Sequence, residues 1–320
     1  MKPVIYVTRK IPDEVLQPYR DSFEFRMWEK EDVPVPRDVL LKEAASADGV
    51  LCLLTETIDH EFLAAAKNLK IVANMAVGYD NIDVEAAREH DVVVTNTPDV
   101  LTETTADLTF ALLMATARRL VEAADYIRDG EWEYWTPYLL AGSDIHGKTI
   151  GIVGMGRIGE AVARRAKGFG MSILYHNRSR KESAEQELGA VYREFPKLLQ
   201  EADFVISLIP LTEQTSEMFN RDAFKTMKSS AIFVNASRGG TVDEQALYDA
   251  LTNNEIRAAG LDVFVNEPIS PEHPLVGLDN VVCLPHIGSA SAATRTKMLE
   301  LCLDNLKAVL NGGESVTPVK

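Results

Sequence analysis

Short apolar runs rich in Val and Ile alternate with stretches of helical period along the whole chain. In the first third these runs predict strands at Val4–Thr8, Phe23–Trp28, Gly49–Leu54, Lys70–Ala76 and Val92–Thr95, with helices between them such as Asp59–Lys67 and Val84–Glu89. Continuously apolar strands separated by helices indicate a parallel sheet covered on both faces. The pattern resumes at Thr149, with strands expected at Thr149–Val153, Ser172–His176, Phe204–Ile209, Ile232–Asn235, Ala258–Val263 and Val281–Leu284. Two such blocks mean two α/β units rather than one large sheet. Between them runs the longest helical pattern, Glu103 to Arg128, with Leu108, Leu112, Ala115 and Leu120 as core positions. An aromatic segment, Trp132 to Tyr138, follows it and ends at Gly142. A last helix, Ala292 to Leu310, comes after the final strand and is a candidate to cross back and complete the first domain.

A length of 320 residues agrees with two domains, and the 46% hydrophobic content is that of an ordinary globular chain. The net charge of −15 argues against nucleic acid or anionic lipid as partners. The three cysteines, Cys52, Cys283 and Cys302, are far apart, and two lie in apolar runs. They show neither a disulfide framework nor a metal-ligand spacing, so no metal is expected. No signal-peptide pattern or membrane-spanning run is evident, and a cytoplasmic location is expected.

Gly154-Met-Gly156-Arg-Ile-Gly159 directly follows the apolar strand from Thr149 and opens a helix, the context a dinucleotide-binding turn requires. There Gly154 permits the tight turn, Gly156 lets a pyrophosphate reach the backbone, and Gly159 lets helix and strand pack closely. About twenty residues on, an NAD site places a carboxylate on the ribose 2′-hydroxyl. Here the strand Ser172–His176 ends instead in Asn177-Arg178-Ser179-Arg180. A carboxylate would repel a 2′-phosphate, whereas Arg178 or Arg180 could pair with one, so NADP is the expected cofactor, with NAD possible.

A 2-oxo acid needs a cation for its carboxylate and an acid for its carbonyl oxygen as hydride arrives. Three strand ends supply these groups: Arg238 after Ile232–Ala236, Glu267 after the strand ending at Phe264, and His286 after Val281–Pro285. In open α/β sheets ligands bind at the carboxyl ends of strands. Histidine titrates near neutrality and serves as proton donor in reduction and acceptor in oxidation. Glu267 can hold the imidazole in one tautomer and favour its protonated form. Arg238 offers a planar fork to a carboxylate and carbonyl oxygen. Asp262, at a strand terminus, could accept a hydrogen bond from a nicotinamide carboxamide.

Together with Asn235–Gly239, Gly260–Pro268, Pro285–Ser289 and Ala76–Asp83, these segments resemble the D-isomer-specific 2-hydroxyacid dehydrogenases, most closely the glyoxylate/hydroxypyruvate reductases. The resemblance covers essentially the whole chain. It implies two Rossmann-like doubly wound parallel-sheet domains with an interdomain cleft: a substrate-binding domain from residues 1–98 and 289–320 around an NAD(P)-binding domain at 99–288. It implies Arg238 as substrate clamp, His286 as acid/base with Glu267 behind it, and substrate contacts at Leu54, Val77 and Gly78. It places cofactor contacts at Gly154, Met155, Gly156, Arg157, Ile158 and Gly159, at Asn177, Arg178 and Ser179, and at Ala236, Ser237 and Gly288. Thr105 and Asp262 are further expected cofactor contacts. It implies a homodimer built on the helix from Glu103 and its aromatic arm, where Trp135 either reaches the partner's active site or anchors the interface. A 2-ketogluconate reductase is the competing activity within this branch. A non-catalytic nucleotide-sensing corepressor is the competing class, since fold alone does not prove catalysis.

Overall fold

Runs such as Gly49-Val-Leu-Cys52, Ile71-Val-Ala-Asn74, Phe204-Val-Ile-Ser207 and Ile232-Phe-Val-Asn235 are buried at every position. Strands of this kind need helices over both faces, and that is how the computed structural model, which describes residues 2–319, arranges them. In the first third the strands are β1 (Val4–Val7), β2 (Glu24–Met27), β3 (Gly49–Cys52), β4 (Ile71–Asn74) and β5 (Val93–Thr95). The second block holds β6 (Thr149–Val153), β7 (Ser172–His176), β8 (Val191–Tyr192), β9 (Phe204–Ser207), β10 (Ile232–Asn235), β11 (Ala258–Leu261) and β12 (Val281–Cys283).

The first five strands form one parallel sheet in the order β2-β1-β3-β4-β5. The other seven form a second parallel sheet, β12-β11-β10-β9-β6-β7-β8. In each, the chain reverses its direction of travel across the sheet, at β1/β3 in the first and β6/β9 in the second. Such switch points leave a crevice at the carboxyl ends of the strands. Contacts divide the described chain into two compact units: residues up to Leu101 with those from Ala290 onward, and Thr102–Ser289.

In the first unit the helix Ala292–Leu310 packs on β3 and β4, bringing Leu306 so close to Gly49 that a side chain there would collide with it. In the second unit Phe110, Leu112, Ile150, Ile152 and Tyr175 fill one face of the sheet. Leu198, Phe219, Phe224, Phe233 and Leu247 fill the other. Among the described residues, no helix is long and apolar enough to cross a membrane.

The helix expected to run unbroken from Glu103 to Arg128 is two helices, Thr102–Ala117 and Leu120–Arg128. The returning chain causes the break. Ser143 donates its N–H to the Ala117 carbonyl at 2.8 Å, removing an acceptor the next turn would need, and Arg119 turns left-handed at φ 53°. Several expected strands also end early. Leu53 leaves β3 because its N–H goes to the Glu56 carboxylate at 2.8 Å, and Leu54 therefore lies in a loop.

Candidate active site

The turn after β6 carries the glycine pattern, and each glycine has a visible reason. Gly154 sits at φ +105°, and a Cβ there would come within 2.6 Å of the Leu208 carbonyl oxygen. At Gly159 a Cβ would come within 2.3 Å of the Gly154 oxygen. Gly156 is the opposite case: it is exposed, and a Cβ would meet nothing within 4 Å. The absent side chain there leaves an open approach to the main chain. The helix Arg157–Gly168 begins next with no side-chain cap on its first N–H groups. Uncapped amides at a helix start, behind a bare glycine, are a donor set that fits the pyrophosphate of a dinucleotide. Met155 is buried, Ile158 half-buried and Arg157 exposed around this turn.

The segment after β7 differs in part from expectation. Asn177 Oδ1 accepts the Met155 N–H at 2.7 Å, so this side chain braces the glycine turn. Arg180 is committed to Glu185 through two hydrogen bonds, 2.9 and 2.5 Å, and so is not the cation held ready for an incoming phosphate. That leaves Arg178, exposed beside the exposed Ser179 and without an ion-pair partner among the described residues.

Arg238, Glu267 and His286 all leave the carboxyl ends of β10, β11 and β12. Asn235, almost fully buried, cinches the first of these turns: its Oδ1 accepts from the Ser237 N–H and hydroxyl, and its Nδ2 donates to the Arg238 carbonyl at 3.0 Å. Arg238 Nη1 donates to the Ser237 carbonyl at 2.8 Å, and Ala236 and Ser237 are part-buried beside it. The turn lies so close to the next strand's exit that a Cβ at Gly239 would fall 1.9 Å from the Phe264 carbonyl carbon.

Asp262 is 1% exposed, and its two carboxylate oxygens accept the N–H groups of Ile287 and Gly288, both at 2.8 Å. Its main-chain oxygen accepts the His286 N–H at 2.9 Å. Burial raises the Asp262 pKa above the ordinary carboxylate value, although these amides and His286 oppose it. Asp262, expected as a carboxamide acceptor, thus serves visibly to fold the His286 loop. His286 itself adopts φ +52°, a conformation few side chains take up. Thr105 is buried directly behind Gly288.

The imidazole Nδ1 lies 2.7 Å from Glu267 Oε2, and Glu267 Oε1 accepts the Phe264 N–H at 2.9 Å. Burial by itself would raise the Glu267 pKa, but the hydrogen bond and charge of His286, the Phe264 amide and the Arg238 charge together hold it below the usual range. An ionised carboxylate only accepts, so Nδ1 carries a proton and Nε2 is the nitrogen left to give or take one.

In the first unit, Leu54, Val77 and Gly78 are part-buried residues of the loops after β3 and β4. The loop after β3 is organised by Glu56, which is 3% exposed and accepts from the Thr8 hydroxyl (2.6 Å), the Leu53 N–H (2.8 Å) and the Thr55 hydroxyl (2.6 Å). Trp135 projects into solvent at 77% exposure, beside exposed Trp132, Tyr134 and Tyr138. Sequence reading missed Asn235 and Glu56 as organisers, and with them Asn74 at the end of β4 and Asn96 after β5, whose Nδ2 groups donate to the Gly78 and Val77 carbonyls. A polar residue ending or closely following an otherwise apolar strand was their common signal. Among the described residues no cluster of His, Cys, Asp and Glu converges as a metal site.

Known proteins resemble this chain over most of its length. Residues 110–288 match the NAD-binding domain of the D-isomer specific 2-hydroxyacid dehydrogenases. The chain is 52% identical over 313 residues to the glyoxylate reductase of Korarchaeum cryptofilum, covering 98% of this chain and 94% of that protein. It is 51% identical to the glyoxylate reductase of Thermococcus onnurineus, with the same coverage. Among solved structures, a protein from Thermus thermophilus matches with a TM-score of 0.93 at 46% identity, covering 99% of this chain and all of that one. An NADPH-dependent glyoxylate/hydroxypyruvate reductase from Sinorhizobium meliloti, solved with NADP and malonate, matches with a TM-score of 0.86 at 39% identity, covering 100% of this chain and 97% of that one.

Proposed function

The chain belongs to the D-isomer-specific 2-hydroxyacid dehydrogenases, and from that premise we propose that it is an NADPH-preferring reductase of the small 2-oxo acids glyoxylate and hydroxypyruvate. The observation that carries this reading is the Glu267–His286 pair at 2.7 Å, which leaves Nε2 as the nitrogen free to give or take a proton. The names of relatives about half identical over nearly the whole chain support the substrate class.

Bound NADPH supplies hydride to the carbonyl carbon of the substrate. His286 Nε2 delivers the proton that the carbonyl oxygen needs, giving the 2-hydroxy acid, and Glu267 holds the ring through Nδ1. Arg238 binds the carboxylate and carbonyl oxygen through its fork. The main-chain amides at Val77 and Gly78 take the substrate carboxylate, with Leu54 beside it. The first unit thereby acts as the substrate domain and the second as the coenzyme domain. The glycine turn would hold the pyrophosphate, with Ala236, Ser237, Thr105, Asp262 and Gly288 lining or backing the nicotinamide end. Arg178 and Ser179 would meet the 2′-phosphate. The exposed aromatic arm around Trp135 supports a homodimer, and the reading places the enzyme in the cytoplasm.

The test is kcat/KM with NADPH and NADH on glyoxylate, hydroxypyruvate and 2-ketogluconate. The expected result is at least about tenfold preference for NADPH, reduced several-fold by Arg178→Ala because a charge-assisted contact at an exposed site is lost. Preference for NADH, or for 2-ketogluconate over the smaller acids, contradicts the proposal.

A further inference from the structure

Three consecutive peptide groups in the loop after β4 are gripped by their carbonyl oxygens. The Ala76 oxygen accepts the Thr97 N–H at 2.8 Å. The Val77 oxygen accepts from Asn96 Nδ2 at 2.8 Å, and the Gly78 oxygen from Asn74 Nδ2 at 2.9 Å. A trans peptide is planar, with its N–H antiparallel to its C=O. Each grip therefore also aims the following N–H, in turn that of Val77, Gly78 and Tyr79, away from the gripping group. Among the described residues none of these three N–H groups has an acceptor. Consecutive amides left open in this way favour an anion.

The grip is itself secured from the C-terminal segment. Thr317 donates its hydroxyl to the Asn96 carbonyl at 2.6 Å, and the Asn96 N–H donates to the Thr317 oxygen at 3.3 Å. Thr317 is held in turn by Asn305, which is fully buried on the helix Ala292–Leu310. Asn305 Oδ1 accepts the Thr317 N–H at 3.0 Å, and its Nδ2 donates to the Thr317 hydroxyl at 2.9 Å and to the Leu301 carbonyl at 2.8 Å. Val319 extends the attachment by donating its N–H to the Val94 carbonyl at 2.9 Å, along the edge strand β5. Asn74 and Asn305 are both 0% exposed. Burying an amide costs free energy unless its hydrogen bonds are made, so two such side chains are poor choices for packing alone.

We propose that Asn74 and Asn96 are positioning residues that aim the main-chain N–H groups of Val77 to Tyr79 at the substrate carboxylate, and that Thr317 and Asn305 fix Asn96 from the C-terminal segment. This rests on the 2-oxo acid reading above. The clamp makes substrate affinity depend on residues more than two hundred positions further along the chain, since Thr317 and Asn96 are separated by 221.

The test is steady-state kinetics with glyoxylate and NADPH, and inhibition by oxalate as a carboxylate probe, on Asn96→Ala, Thr317→Val and Thr317→Ser. Asn96→Ala should raise KM for glyoxylate and Ki for oxalate by about tenfold, while KM for NADPH stays within about twofold. Thr317→Val should move the same two constants by about threefold, and Thr317→Ser, which keeps the hydroxyl, should restore them. If Asn96→Ala is insoluble, the Thr317 pair decides. Wild-type constants in Asn96→Ala or Thr317→Val overturn the clamp, as does a uniform loss of kcat, both affinities and Tm. A wild-type enzyme that reduces no 2-oxo acid removes the function as well, which separates the two failures.

Discussion

The loops at the carboxyl ends of the second sheet present side chains, whereas the loop after β4 in the first sheet presents main chain. In the second, an imidazole, a carboxylate and a guanidinium come from three successive strand exits, and buried Asp262 and Asn235 hold the turns that carry two of them. In the first, the groups presented are peptide amides, and buried Asn74 and part-buried Asn96 act only on the carbonyl side of those peptides. On the proposed function, the division follows from chemistry. Proton transfer needs a group that titrates, which a peptide does not. Fixing a carboxylate needs donors with little freedom to move, and a clamped backbone has less freedom than a side chain.

The comparison breaks most sharply at Asp262. Asp262→Ala leaves two amides, those of part-buried Ile287 and buried Gly288, without acceptors. It should cost roughly 2–4 kcal/mol in urea unfolding and, by loosening the His286 turn, reduce kcat far more than KM for NADPH. A variant with wild-type stability and turnover would mean that this loop is held by something else.

A smaller effect sharpens the electrostatic side. Glu267 has a folded pKa held below its ordinary value, with burial opposing and His286, Phe264 and Arg238 prevailing. A depressed carboxylate contributes stability that is fully present above its unfolded value of about 4.3 and is lost as pH falls through the lower folded value. Wild type should therefore be more stable than Glu267→Gln near neutrality, and the gap should close in acid. Denaturant unfolding of both proteins at several pH values measures it, and a gap that widens in acid would reverse the assignment of charge to this pair.

The same contrast explains what could be read from sequence. Strands β6, β7 and β10 and the helix Ala292–Leu310 match their expected spans end to end, because continuous apolar runs and helical period are local properties. The glycine turn and the strand-exit positions of Arg238, Glu267 and His286 were legible for a related reason: each is marked by a residue type next to the end of an apolar run. The clamp after β4 was not, because its parts act through backbone carbonyls, with partners separated by 4, 19 and 221 positions. Arg180 departs from expectation because a guanidinium in a turn looks free until the Glu185 carboxylate on the following helix is placed beside it. The break at Arg119 depends on Ser143, a residue 24 positions away that no local period can reveal.

The central claim is that His286 moves the proton while Glu267 holds its ring. The most direct measurement is the single-turnover rate of NADPH oxidation by glyoxylate in His286→Asn, with NADPH binding followed by fluorescence. Asparagine tolerates the positive φ of this position but does not titrate near neutrality, so the loop is kept and the proton donor removed. The expected rate is about 10²–10⁴ lower with NADPH binding retained; a rate near that of the wild type would contradict the claim.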